Sequence, residues 1–163
     1  MRFEQYREQF AFLRDNGITT RTDMAAFTAR TEETLANLMK QRTVLHVLRK
    51  RRRALYTALA DAEALAPVKE LYEAGLSGME TEFAQYMDAV AALEQCGVPR
   101  EGLIQEKAEL YDRLAALNRQ IRAERRKLAL CRKTQNSLPR MEQEIDKAEA
   151  RESEVRTNEH RRR

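Results

Sequence analysis

A chain of 163 residues holds one domain and not comfortably two. Five Gly, three Pro, no Trp, 34% charged residues and only 6% aromatic ones suit long solvated helices and argue against a thick, loop-rich core. The net charge of +4 is, taken alone, a weak argument for an anionic partner.

Residues 1–18 form a short helix and a turn. Phe3, Tyr6, Phe10 and Leu13 recur at helical spacing, and Asn16-Gly17 closes the helix because Gly tolerates the left-handed conformation. Ile18 then packs back on the last turn. Thr20 followed by Asp23 has the spacing of a capping box for the next helix.

Residues 19–66 read as a first long arm. With Met24 as an a position, the a series is Met24, Thr31, Leu38, Leu45, Arg52, Leu59 and Ala66. The d series is Phe27, Thr34, Gln41, Leu48, Leu55 and Ala62. A helix of this length, about 67 Å at 1.5 Å per residue, needs a partner helix. Residues 67–100 form a helical cap. A short helix starts at Pro67, a loop holds Gly75 and Ser77-Gly78, and a second helix carries Phe83, Tyr86, Met87, Val90 and Leu93. Residues 101–150 supply the second arm, with a 4-3 series through Leu103, Lys107, Leu110, Leu114, Leu117, Ile121, Glu124, Leu128, Cys131, Gln135, Leu138, Glu142 and Ile145. Pro139 predicts a kink or break near Ser137-Leu138. Residues 151–163, ending Glu159-His160-Arg161-Arg162-Arg163, read as a charged, frayed tail. The expected fold is all-α: a long antiparallel two-helix coiled-coil hairpin, a small cap between the arms and a short N-terminal helix.

Charge is distributed unevenly along this pattern. No acid occurs between Glu33 and Asp61, an interval holding Lys40, Arg42, Arg49, Lys50, Arg51, Arg52 and Arg53. Between Arg119 and Lys133 the second arm carries Arg119, Arg122, Arg125, Arg126, Lys127, Arg132 and Lys133 against Glu124 alone. Pairing Leu65 with Leu103 makes opposed positions add to about 168 and merges the two runs into one basic stem. From Asp61 to Glu109 eleven acids face only Lys69, Arg100 and Lys107, so the cap is acidic. Clustered like charges repel unless an anion neutralises them, and a phosphate backbone would do so with release of counterions. The candidate nucleic-acid-binding residues are Lys40, Arg42, Arg49, Lys50, Arg51, Arg53, Arg119, Arg122, Arg126 and Lys127. Arg52, at an a position, is assigned instead to the seam. The competing reading is a solvated coiled-coil face whose Arg stems cover apolar seams.

Nothing points to catalysis. His46 and His160 lack the company of a metal site, and no Gly-rich phosphate loop, HExxH or nucleophile motif occurs. Cys96 and Cys131 have no CxxC or Cys/His spacing and read as small apolar side chains in packed seams. No cofactor, metal or catalytic residue is expected. No run approaches the ~20 apolar residues that span a bilayer, and the N-terminus has no apolar signal core, so a cytoplasmic, reducing location is expected, with no membrane partner.

The segment Phe12-Leu13-Arg14-Asp15-Asn16-Gly17-Ile18-Thr19-Thr20 and the basic helix after it resemble the C-terminal helical region of relaxase/mobilization proteins from conjugative elements of Gram-positive bacteria. The resemblance continues through Val68-Lys69-Glu70-Leu71-Tyr72, the Phe83–Leu93 helix and Gly102-Leu103-Ile104-Gln105-Glu106-Lys107. That family nicks DNA with a catalytic Tyr and a metal-binding His cluster, and no His-x-His occurs here, so no catalytic residue carries over. The resemblance implies a non-catalytic module assisting DNA binding or relaxosome assembly. Two readings stay open: such a DNA-binding module, or a scaffold that docks relaxosome proteins or self-associates.

Overall fold

The structure is a computed structural model and describes residues 2–161. Side chains are described for all of these except 2, 3, 5, 141, 145 and 158–161, so the expectations at Phe3, Ile145, His160 and the terminal arginines lie outside the described residues. Five helices and no strand occur among the described residues: α1 (Arg2–Asp15), α2 (Arg21–Ala64), α3 (Ala66–Glu73), α4 (Glu80–Gln95) and α5 (Arg100–Arg161). The fold class is therefore all-α. None of the helices is long and apolar enough to cross a membrane, among the described residues. The chain divides into two compact units, Met1–Ala36 with Arg122–Arg163, and Asn37–Ile121. Each unit contains part of α2 and part of α5.

In the first unit, α1 ends where the sequence puts its stop. Gly17 takes φ 63, and the Ile18 and Gly17 amides donate to the carbonyls of Leu13 and Arg14. This is a Schellman closure, and buried Ile18 packs in the same cluster as Leu13. The capping box forms as well. The Asp23 amide donates to Thr20 Oγ1 at 3.0 Å, and the Thr20 amide donates to Asp23 Oδ2 at 2.9 Å. Thr19 adds its amide and hydroxyl to the same carboxylate, and these bonds hold Asp23 below the usual carboxylate range. Phe12, Ile18, Met24 and Cys131 form the buried core, and Phe12 meets Phe27 edge to face at 5.5 Å. Burial raises the Cys131 thiol, as suits a packing residue.

Here α2 and α5 pair antiparallel through Arg21–Glu142, Thr28–Gln135 and Glu32–Arg132. Two expectations are corrected. The helix α5 runs through Pro139 without a break. Proline removes one helical hydrogen bond, but buried Thr134 and half-buried Ser137 and Leu138 hold the preceding turn in contact. The residues beyond Ala150 remain helical as far as Arg161.

In the second unit α2 and α5 pair through Leu45, Tyr56, Leu110, Leu114 and Leu117, with Leu38 beside them. The α5 seam is the predicted one, and the α2 seam keeps the predicted a stripe, with Leu45 and Leu59 buried and Leu38 and Arg52 half-buried. The d series is mixed: Gln41 and Leu48 are exposed, Leu55 is half-buried and Ala62 is buried. Arg42 and Tyr56, each four residues after an a position, are half-buried and buried.

The register also differs. Arg42 Nη1 donates to Asn118 Oδ1 at 3.3 Å and the Tyr56 hydroxyl donates to Glu106 Oε1 at 2.8 Å, so opposed positions add to about 160 instead of about 168. The packing of α4 matches this register. Its Ala89 and Leu93 pack with Ala58, Leu59, Ala62 and Leu103, so Leu103 meets α2 more than one turn before Leu65. Arg52, partly buried as its a position predicts, donates from Nε to Glu106 at 3.1 Å. The α3 helix buries no residue, and a stacked pair, Tyr72 on Phe83 at 4.1 Å, ties it to α4.

Two consequences can be measured. Gln9 is 2% exposed, its Nε2 donates to Ser137 at 3.3 Å, and its Oε1 has no partner. Gln9→Met removes that oxygen and is expected to stabilise the chain by about 1 kcal/mol, read as a higher urea midpoint; a lower midpoint would show the oxygen to be satisfied. Burial, then the bond to Glu106, pushes the Tyr56 phenol up to about 12. Its folded value lies above its unfolded one, so the stability it contributes is present below pH ~10 and lost as pH rises towards ~12. Absorbance titration of tyrosinate should show one late step, missing in Tyr56→Phe.

Candidate nucleic-acid interface

The ten residues singled out by charge fall in both units. Lys40, Arg42, Arg49, Lys50, Arg51, Arg53 and Arg119 lie in the second, and Arg122, Arg126 and Lys127 in the first. Their surroundings separate them further.

In the first unit the basic residues of α5 are largely answered by acids. Lys127 Nζ lies 2.8 Å from Glu124, Arg132 lies 3.9 Å from Glu32, and Lys133 lies 3.6 Å from Glu8. Arg122 and Arg126 are exposed on the same stretch. These pairs are solvent-facing and individually worth about 0–1 kcal/mol, but they cancel the local field that an anion would sense.

The second unit differs. Arg49, Lys50, Arg51 and Arg53 are all exposed, and among the described residues none of them has an ion pair. Lys40 and Arg119 are also exposed. Arg42 is half-buried and engaged with Asn118, so its guanidinium serves the seam at least as much as the surface.

The register decides what faces the run. The level of Arg49–Arg53 on α5 is about 107–111, not the stretch 115–119 that the longer register predicts. Glu106 lies there and takes Arg52 and Tyr56, leaving the outward cations unmatched. On one flank of the α2–α5 pair an open cleft of about 790 Å³ is lined by His46, Arg49, Lys50 and Arg53 of α2 and by Lys107 and Tyr111 of α5, with Tyr56 also in its wall. No carboxylate is among its lining residues. Lys107 Nζ sits 6.0 Å from the centroid of the Tyr56 ring, at the outer reach of a cation–π contact. Arg51 lines a different groove, between α2 and α4, which Lys50 and Arg53 also border and which has Asp61 and Asp88 in its walls.

Three cleft residues lie beyond the reach of charge counting along the chain: His46, which is no permanent cation, Lys107, which falls among the acids flanking the cap, and Tyr111, which carries no charge. All three become visible once α5 is moved two turns along α2. Lys107 and Tyr111 are four apart, one turn of helix, and so share a face.

What the arrangement can do is bind anions. Four permanent cations and an imidazole converge on one concave surface with two aromatic rings, and nothing in it resembles a nucleophile with its base. Compared with known proteins, the chain matches no family model, no curated protein and no solved structure, so its functional reading rests on this geometry.

Proposed function

We propose that the chain is a non-catalytic, helical DNA-binding module that contacts the phosphate backbone, assisting DNA binding or relaxosome assembly in a conjugative mobilization system. The observation that carries the reading is the run Arg49, Lys50, Arg51 and Arg53, exposed on α2 and without an ion pair among the described residues. Solvated helices ordinarily mix signs, and the first unit does so. A run of one sign beside a carboxylate-free cleft is better explained by an anion that arrives from outside. The assignment to mobilization draws on the sequence resemblance, and the hairpin with its cap belongs to the same reading.

Backbone contact predicts a steep dependence of duplex affinity on salt, since each neutralised phosphate contributes a slope of about 0.9. A duplex carrying a transfer origin and a scrambled duplex of equal length should bind alike. Reversing Arg49, Arg51 and Arg53 to Glu should flatten the slope by two to three, measured by fluorescence anisotropy across a salt series. Unchanged binding in the triple variant, or no duplex binding by the parent at low salt, would sink the reading.

A second reading is a protein scaffold, favoured by Val44, Val47 and Leu48, apolar side chains left exposed on α2. Sedimentation at several concentrations separates the two. A stable dimer indifferent to DNA is the scaffold's signature, and a monomer that sediments faster only with DNA is the binding module's.

A further inference from the structure

A backbone-binding surface needs cations and nothing else, so the aromatic content of the cleft calls for its own explanation. Tyr111 is 47% exposed, although it stands one residue after Leu110 in the buried α5 seam. Its ring is in the wall of the cleft together with Arg49, Arg53 and Lys107. An exposed phenol ring offers a flat π-face to water and gains little there. Surrounded by side chains that hold phosphates, it is placed to stack on a base.

A paired base cannot reach such a ring, because its faces are covered by its neighbours in the duplex. An unpaired base can. The cleft has the two components that single-strand sites combine, a cationic groove that tracks the backbone and an aromatic platform for the base. Its volume, about 790 Å³, lies in the range of small-molecule sites and accommodates a nucleotide. Tyr56 is not the platform: its ring is buried and its hydroxyl is committed to Glu106.

Building on the anion-binding reading above, we infer that this cleft is a single-strand site, in which Tyr111 stacks on an unpaired base while Arg49, Arg53 and Lys107 hold the flanking phosphates. Stacking is indifferent to base identity, so the site selects unpaired over paired nucleic acid and not one sequence over another. No lining residue is assigned to the sugar, so the shared chemistry is that of a DNA or an RNA strand.

The test uses the full chain with labelled oligothymidine, oligouridine and a blunt duplex of equal length, followed by anisotropy at matched salt. At least one single strand should bind more tightly than the duplex. Tyr111→Ala should weaken that strand about tenfold and weaken the duplex less, so that the preference for the single strand is lost, while Tyr111→Phe, which keeps the ring, should bind like the parent. Because the chain has no Trp, tyrosine emission can be followed directly, and the quenching caused by the strand should shrink in Tyr111→Ala. If Tyr111→Ala binds single strands as the parent does, or if the duplex is preferred, the single-strand site is overturned while backbone binding stands. If neither strand nor duplex binds at low salt, both fall. Tyr111 is half-exposed, so the alanine variant should fold, and a circular dichroism spectrum with the parent's helical content checks that it has.

Discussion

The packing of Leu45 and Tyr56 against Leu110, Leu114 and Leu117 sets the register between α2 and α5 in the second unit, and the surface chemistry of that unit follows from it. A two-helix seam has little freedom once its apolar residues are buried. Each of these side chains contributes about 1.5–3 kcal/mol on burial, far more than any exposed ion pair. Charges therefore meet where the seam puts them. The register brings Glu106 to Arg52 and Tyr56, at 3.1 and 2.8 Å, and thereby uses up the carboxylate that could otherwise have reached outward to the arginine run. The same shift delivers Lys107 and Tyr111 to the cleft.

The two units use the same kind of helix pair to opposite electrostatic ends. In the first, Glu8, Glu32, Glu124 and Glu142 answer Lys133, Arg132, Lys127 and Arg21, so its basic composition produces little net field at those points. In the second, the exposed cations of α2 have no such partners. Composition treats all these residues as equals. Only the packing separates charges that are spent within the fold from charges that remain available.

The sequence was most legible where chemistry is local. The stop at Asn16-Gly17, the Thr20–Asp23 cap, the turns around Gly75 and Gly97, and the α5 stripe from Leu103 to Cys131 all depend on residues within a turn or two of one another. It was least legible where a choice depended on distant residues. Leu48 makes a plausible d position in α2, and only the position of α5 shows that Leu48 is exposed while Arg42 and Tyr56 meet the partner. Likewise Leu103 packs with Ala58, Leu59 and Ala62 and with Ala89 and Leu93 of α4, and not at the level of Leu65. The arginine run was readable as a run. The cleft was not, because it needs residues some sixty positions apart brought together in the correct register.

That dependence also bears on why so unfavourable a run persists beside the seam. Two unit charges about 6 Å apart in water repel by roughly 0.7 kcal/mol, so exposed cations within a single turn of α2 cost a few kcal/mol together before salt screens them. The adjacent apolar cluster of Leu45, Tyr56, Leu110, Leu114 and Leu117 can carry such a load without unfolding. On the function proposed above, the repulsion relieved by a polyanion would be added to the contacts that it makes. A cationic face built against a buried seam holds its charges at fixed spacing in the absence of a ligand. The seam thus has two roles: it stabilises the helix pair, and it preorganises the charges that the pair presents.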